Sequence, residues 1–211
     1  MHDPAVRSLL DMFARIAATM EAERDHLSDL DGAIGDADHG MTMALGFRAV
    51  VVALGRLDAA SAKPADVFRT AAGAFLDAVG ASTGPLYANG FLRAAQRLDG
   101  CDGLDCASAA TLLDAMAAGI AQRGKGSRGE KTMLDVWLPA AEAAQHALAD
   151  RPDRFWTIVL DAAERGAAAT RSMVAVRGRA ARVGERSIGH IDPGAVSALM
   201  IIRAMAESFK P

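Results

Sequence analysis

Apolar side chains recur at helical spacing along almost the whole of this 211-residue chain. Pro4 stands at a typical first helical position, with Asp3 before it as a candidate N-cap, and apolar residues follow at intervals of three and four. Apolar residues make up 51% of the chain and aromatic residues only 5%, which favours packed helices because strands prefer β-branched and aromatic side chains. The sequence therefore predicts an all-α protein.

The helical pattern is interrupted by segments rich in glycine, proline or charged residues. No linker divides the chain, so we expect residues 1–211 to form a single domain with a substantial core. Eight helices are predicted, with the first ending between residues 26 and 28. They cover residues 4–28, 41–57, 64–79, 86–98, 108–122, 132–149 and 152–176, and a last stretch that begins at Pro193.

Four loops follow the first, third, fifth and seventh predicted helices, at residues 28–40, 80–85, 123–131 and 177–192. In an antiparallel up-and-down eight-helix barrel or bundle, every second loop lies at the same end. The sequence therefore predicts that a carboxylate cluster, a turn of small residues and two loops with Lys or Arg meet at one end. A polyphosphate is the ligand that such a combination suits.

The first of these loops carries Asp31, Asp36 and Asp38 within a short glycine-rich stretch. Three carboxylates this close need a countercharge, and oxygen ligands on a loop suit Mg²⁺, which binds a few carboxylates together with phosphate oxygens. The alternative is a solvated turn in which Asp31 or Asp38 caps the next helix. The backbone of His39-Gly40, at the start of that helix, would also offer N–H groups to an anion.

The second and third loops contain groups that suit a nucleotide. Ser82 and Thr83 could contact a phosphate, although residues 80–85 lack the lysine of a Walker A loop and read equally well as a helix-breaking turn. Met133 could pack against an adenine face while Gly124 permits close approach of the base. The alternative for this loop is a solvated, basic surface segment.

The last loop contains Arg179, Arg182 and Arg186, which are either surface charges or phosphate contacts. A guanidinium facing a transferring phosphoryl group would neutralise charge that spreads over its oxygens. The segment Asp192-Pro193-Gly194 is typical of a helix start and is a candidate nucleotide contact.

Composition also excludes some classes of function. A net charge of −3 gives no electrostatic reason to bind nucleic acid. No secretory signal and no apolar run of membrane-spanning length is visible, so we expect no membrane association and a cytoplasmic protein. Cys101 and Cys106 are expected to be free thiols in a reducing compartment, with a disulfide between them as the alternative.

These separated motifs, in this order, resemble the L subunit of dihydroxyacetone kinases, the nucleotide-binding DAK2-type half of that enzyme. The resemblance covers essentially the whole chain and implies an eight-helix barrel. It rests on Leu30-Asp-Gly-Ala-Ile-Gly-Asp-Ala-Asp-His-Gly40, Gly84-Pro-Leu86, Arg123-Gly-Lys125, Lys131-Thr-Met133, Gly184-Glu-Arg-Ser-Ile-Gly-His190 and Asp192-Pro-Gly194.

The resemblance also implies a ligand set. Asp31, Asp36 and Asp38 would hold two Mg²⁺ ions that bridge the phosphates of ADP or ATP, and Arg186 is the candidate catalytic residue. The implied nucleotide contacts are His39, Gly40, Met41, Thr42, Ser82, Thr83, Gly124, Met133, Arg186, Asp192, Pro193 and Gly194.

The implied substrate is dihydroxyacetone or another small ketose such as erythrulose, bound on a separate K subunit. Either a phosphotransferase-system protein rephosphorylates retained ADP, or ATP exchanges as a free substrate. Two other functions are alternatives. One is an ADP-loaded module that controls a transcriptional regulator, and the other is a di-metal phosphohydrolase that needs no partner.

Overall fold

The computed structural model describes residues 4–80, 82–100 and 104–209, and all regular structure in these ranges is helical. The all-α prediction is therefore confirmed. Asp3, Cys101 and Ala81 lie outside the described residues, so the predictions that concern them, including part of the 80–85 turn, stay predictions. The α-helices in the described ranges are α1 (Pro4–Ala22), α2 (Arg24–Gly32), α3 (His39–Leu54), α4 (Pro64–Ala78), α5 (Thr83–Arg97), α6 (Cys106–Gly124), α7 (Leu134–Asp150), α8 (Phe155–Ala169) and α9 (Pro193–Ser208).

Eight of these helices form a closed ring. Along the chain, α1 packs on α3, each helix from α3 to α8 packs on the next, and α9 returns to pack on α1. Because short connections join neighbours in space, consecutive helices run antiparallel. The up-and-down eight-helix barrel is confirmed, and the additional short helix α2 packs against α3 and α9.

The helix boundaries near the loops differ from the predicted ones. The first predicted helix continues to Gly32, and its hydrogen bonding persists through the break at Glu23, whose N–H donates to Thr19 and whose carbonyl accepts from Leu27. Helices α3 and α5 begin two and three residues earlier than expected, at His39 and Thr83. Several candidate site residues therefore lie in the first or last turn of a helix rather than in a loop.

The predicted seventh helix is shorter and less regular than expected. It opens with a 3₁₀ turn (Pro152–Arg154), continues as α8, and ends after a second 3₁₀ turn (Thr170–Ser172) instead of reaching Val176. The last loop also contains 3₁₀ turns over Ala180–Ser187, interrupted at Gly184, whose φ is 57°. This loop is thus a folded segment, with hydrogen bonds such as Gly189 N to Arg171 O at 2.8 Å.

The core contains a cluster of aromatic rings surrounded by small residues. Phe47 packs edge-on against Phe75, with ring centroids 5.1 Å apart, and Phe13 packs in the same way against Phe68 and Phe91 at 5.6 Å. Alanine and glycine on the facing helices allow close approach of backbones. None of the described helices combines the length and the apolar character needed to cross a lipid bilayer.

Candidate functional site

The four loops meet in one cavity of about 790 Å³ at one end of the barrel, as their positions along the chain predict. Its walls come from the termini of α2, α3, α5, α6, α7 and α9 and from the last loop. The sequence-predicted residues that line it are Asp31, Asp36, Asp38, His39, Ser82, Thr83, Gly124, Met133, Asp192, Pro193 and Gly194.

Asp31, Asp36 and Asp38 form a compact acidic cluster, in which one oxygen of each carboxylate lies within 4.8 Å of the others. Asp31 is in the last turn of α2, and the other two are in the loop before α3. The Asp31 Oδ2 atom accepts hydrogen bonds from the N–H groups of Asp38, at 2.9 Å, and His39, at 3.2 Å. Asp31 therefore does cap α3 and is also a member of the cluster.

The cluster fits a divalent cation on electrostatic grounds. Burial and the neighbouring charge of Asp31 raise the pKa of the Asp38 carboxyl above its ordinary value, so this group resists ionisation without a countercharge. The Arg179 guanidinium supplies part of the missing positive charge, because it contacts Asp36 and donates to Asp38 Oδ2 at 2.8 Å. Carboxylate oxygens such as these three are protein ligands that Mg²⁺ prefers.

His39 connects the start of α3 to the start of α9. Its Nε2 atom lies 2.9 Å from Ser197 Oγ, and the Ser197 hydroxyl donates to Gly194 O at 3.1 Å. Because that hydroxyl has a single hydrogen, the bond to His39 is satisfied when Nε2 carries a proton and donates it. Burial lowers the pKa of His39 to about 4, so the ring is neutral at pH 7.

The small-residue turn brings Ser82 and Thr83 to the cavity at the start of α5. Gly84 is required here by close packing, since a Cβ atom at this position would lie 1.9 Å from the carbonyl oxygen of Val79. The start of α5 therefore approaches the end of α4 more closely than would be possible with any residue other than glycine at position 84. This contact places the two hydroxyl residues at the cavity wall.

The last loop contacts two other loops across the cavity. Arg177 bonds to the Glu130 carboxylate and to the carbonyl oxygens of Gly124, at 3.3 Å, and Lys125. Arg179 reaches the acidic cluster on the opposite side. Both arginines line the cavity. The sequence identified Arg179 only as one of three arginines, and it gave Arg177 no role.

Four predicted contacts do not line the cavity: Gly40, Met41, Thr42 and Arg186. A Cβ atom on Gly40 would lie 1.9 Å from the carbonyl oxygen of Arg24, so Gly40 allows α3 to pack on α2. Met41 is 55% exposed. Arg186 is exposed. Sequence reasoning also missed Lys131 as a lining residue, although the motif Lys131-Thr-Met133 contains it.

The DAK2 domain family matches residues 33–207 of the chain. The chain belongs to this family. Two family relatives are described as ADP-binding subunits DhaL of dihydroxyacetone kinases named PEP-dependent. The one from Listeria innocua (kinase 1) is 38% identical over 207 residues, covering 98% of this chain and 96% of the relative. The one from Escherichia coli K12 is 34% identical, covering 96% of each chain.

A solved structure of similar fold is the dihydroxyacetone kinase from C. freundii in complex with AMP-PNP and Mg²⁺. The two share a TM-score of 0.70 and 25% identity over 96% of this chain. This chain spans only 33% of the length of that kinase. The family and the fold that the sequence motifs predicted are both confirmed.

Proposed function

We propose that this chain is the nucleotide-holding subunit of a kinase that phosphorylates a small hydroxyketone, with dihydroxyacetone as the first candidate. The observation that carries the proposal is the cavity in which an acidic cluster, an arginine and two helix starts converge. The names of the relatives support it, since they describe ADP-binding subunits of dihydroxyacetone kinases. The kinase solved with AMP-PNP and Mg²⁺ supports the same ligand class.

Asp31, Asp36 and Asp38 are the proposed Mg²⁺ ligands, and the resemblance to the L subunit implies two ions. When bound, Mg²⁺ neutralises the negative charge of the phosphates. The chain supplies the rest of the phosphate environment from the hydroxyls of Ser82 and Thr83 and from the N-terminus of α5. Met133 and the Asp192–Gly194 turn are proposed to hold the base and ribose.

Arg179 replaces Arg186 as the proposed catalytic arginine. Phosphoryl transfer forms a bond from the substrate hydroxyl oxygen to the γ-phosphorus of bound ATP and breaks the bond from that phosphorus to the β-phosphate oxygen, leaving ADP. The hydroxyl proton is released to water. A guanidinium at the phosphates stabilises the charge that spreads over the phosphoryl oxygens during this exchange. Arg179 is at the acidic cluster, whereas Arg186 is exposed and outside the cavity lining.

The ketose is proposed to bind on a separate K subunit, so transfer takes place across a subunit interface. We also propose that the bound nucleotide is ADP retained as a coenzyme, which a phosphoryl donor protein of the phosphotransferase-system type converts to ATP in place before each transfer. The names of both relatives support this, because they describe ADP-binding subunits of kinases that depend on PEP. Retained ADP would accompany the protein through gel filtration. Recovery of nucleotide-free protein that exchanges ATP rapidly would contradict the coenzyme role.

The first test replaces one proposed metal ligand. Asp36→Asn removes a charge from the cluster without changing side-chain size, and Asp29→Asn is the matched control because Asp29 is exposed on α2 outside the cavity. Calorimetric titration with Mg-ADP should show affinity reduced about a hundredfold for Asp36→Asn, since even outer-shell partners of a metal account for about 10- to 100-fold. Asp29→Asn should bind like the parent. Equal binding by Asp36→Asn and the parent would contradict the carboxylate assignment.

The second test is transfer itself, measured with a partner K subunit, Mg²⁺, a phosphoryl donor and dihydroxyacetone or erythrulose. Formation of the ketose phosphate supports the kinase function. Bound Mg-nucleotide without transfer to either ketose would instead favour a regulatory binding module. Release of inorganic phosphate by the chain alone would favour a phosphohydrolase.

A further inference from the structure

Lys131 is a buried side chain that the proposed phosphoryl transfer does not use. It is 1% exposed, and its backbone adopts a left-handed φ of 60°, which residues other than glycine seldom adopt. A lysine is almost never fully buried unless its ammonium group is paired. The contacts of this ammonium group therefore indicate what the residue does.

The Lys131 ammonium group joins two distant segments of backbone. Nζ donates to the carbonyl oxygen of Thr170 at 2.6 Å and to that of His190 at 2.5 Å. Thr170 follows the last residue of α8, and His190 lies two residues before Asp192. One side chain thus fixes the end of α8 and the segment that leads into α9.

Thr170 extends this connection to the cavity wall. Its Oγ1 atom accepts a hydrogen bond from Asp192 N at 3.1 Å and donates one to Ala167 O at 2.6 Å. The Asp192 carboxylate in turn accepts from Ala195 N at 2.7 Å and caps α9. The position of the Asp192–Gly194 turn therefore depends on the network that Lys131 and Thr170 form.

Asp135, in the first turn of α7, holds Lys131 in its unusual conformation. Its buried carboxylate accepts hydrogen bonds from Gly129 N at 2.5 Å and from Thr132 N at 2.8 Å. These two N–H groups lie on either side of Lys131 in the chain. The same turn that directs Lys131 toward α8 also places Met133 at the cavity.

Met133 and Gly194 lie next to each other on the cavity wall. A Cβ atom on Gly194 would lie 3.7 Å from Met133 N and 3.8 Å from Met133 Cβ. Both residues, together with Lys131, line the cavity. The spacing of these two segments is set by hydrogen bonds that run through Lys131.

We propose that Lys131 is a positioning residue for the base of the nucleotide. Its ammonium group holds the Asp192–Gly194 turn against the start of α7, so that Met133 and Gly194 stay side by side on the part of the cavity wall against which a bound adenine would pack. The inference rests on the proposed nucleotide-binding function. Lys131 acts through these segments and not as a phosphate ligand, because its hydrogen bonds run to backbone carbonyls.

The experiment compares Lys131→Met, which keeps an unbranched side chain one atom shorter but removes the donors, with Lys125→Met. Lys125 is a matched control because it lies in the same loop with a positive φ of 50°, yet it is exposed and does not line the cavity. Each variant is titrated by calorimetry with Mg-ADP and with Mg-pyrophosphate, which has no base. Circular dichroism and thermal unfolding report on the fold.

Lys131→Met should weaken Mg-ADP binding about tenfold or more, equivalent to about 1.4 kcal/mol, and leave Mg-pyrophosphate binding unchanged. Lys125→Met should change neither affinity. Unchanged Mg-ADP binding by Lys131→Met would overturn the inference. An equal loss of affinity for both ligands would also overturn it. A residue that positions the adenine-contacting part of the cavity wall has no effect on a ligand without a base.

Thr170→Val provides a second variant, because it removes the hydroxyl that accepts from Asp192 N and keeps the carbonyl that Lys131 uses. It should show the same selective loss of Mg-ADP, to a smaller extent, and it decides the question if Lys131→Met does not fold. An unchanged ratio of the two affinities in Thr170→Val would then overturn the inference. If the parent protein itself fails to bind Mg-ADP, the proposed function fails, and this inference fails with it.

Discussion

Single residues in this protein combine a structural and a proposed chemical role. Asp31 caps α3 with one oxygen and belongs to the acidic cluster, so the two interpretations that the sequence left open are compatible. For the arginines, the structure instead selects one candidate. The sequence makes Arg179, Arg182 and Arg186 equivalent candidates, and of these three only Arg179 reaches the acidic cluster. The two residues lie at sequence positions that no local pattern connects.

The choice between Arg179 and Arg186 is testable by a matched pair of substitutions. Arg179→Gln should reduce the rate of phosphoryl transfer about 100- to 1,000-fold, the range found when a group that stabilises transition-state charge is removed. Arg186→Gln should stay within about twofold of the parent, as expected for an exposed residue outside the cavity. The measurement is the steady-state rate with the partner K subunit at saturating ketose. A large loss in Arg186→Gln alone would restore the original assignment.

Asp192 should make stability depend on pH in a predictable direction. Burial raises the pKa of Asp192 to about 7 from an ordinary 3.8, so between these values the folded protein holds a proton that the unfolded chain has released. The contribution of Asp192 to the free energy of unfolding should therefore fall as pH rises from about 4 to about 7 and level off above pH 7. The contribution of His39 has the opposite sign, because its lowered pKa makes stability rise with pH between about 4 and 6.5.

Asp192→Asn tests this, because an asparagine can still accept the hydrogen bond from Ala195 N as an N-cap. Urea unfolding of nucleotide-free protein at pH 5 and pH 8 isolates the contribution of Asp192, because His39 contributes equally to the parent and the variant. The change in the free energy of unfolding from pH 5 to pH 8 should be more favourable in the variant than in the parent. Asp105→Asn is the control, since the hydrogen bond from Ser108 N lowers the pKa of that N-cap carboxyl below the tested range. A parent and an Asp192→Asn variant with the same pH dependence would contradict the prediction.

At the scale of elements, the helix boundaries were predicted to within a few residues, and the errors fell at the site. The sequence predicts loops at residues 28–40 and 80–85, whereas α2, α3 and α5 extend into them. Glycine and proline in these stretches are typical of helix breaks. In the structure, Gly40 and Gly84 instead permit backbone contacts at which any Cβ atom would lie 1.9 Å from a carbonyl oxygen.

Close packing between helices gives a prediction at this scale. A Cβ atom on Gly166 of α8 would lie 2.0 Å from the carbonyl oxygen of Asp135 on α7, whereas nothing lies within 4 Å of a Cβ on Gly73 of α4. Gly166→Ala should destabilise the fold by about 2 to 3 kcal/mol because the two helices must separate. Gly73→Ala should stabilise it by about 0.5 to 1 kcal/mol through helix propensity.

Denaturant unfolding of the two variants measures both effects in one assay. The opposite signs matter, because both substitutions add the same methyl group to a helical glycine. A stabilising or neutral Gly166→Ala would show that α7 and α8 are not packed as closely as the structure indicates.

At the scale of the whole molecule, ring closure decides which parts of the chain meet. The contact of α9 with α1 closes the ring, and Trp156 Nε1 donates to Phe209 O at 2.8 Å near the end of α9. With eight helices alternating in direction, the loops after every second helix share one end of the barrel. The cavity is therefore a consequence of the topology, and its position followed from counting helices.

The sequence by itself determined the helical class, the approximate elements, the order of the loops and the acidic residues, because helical periodicity and turn chemistry act between near neighbours in the chain. The tertiary structure alone decided that Arg179 reaches Asp38, 141 positions away, and that Lys131 is buried between α8 and α9. Such pairings depend on distances set by the packing of the whole ring. No local pattern encodes them, since the four arginines of the last loop are chemically identical until the fold places one of them beside the carboxylates.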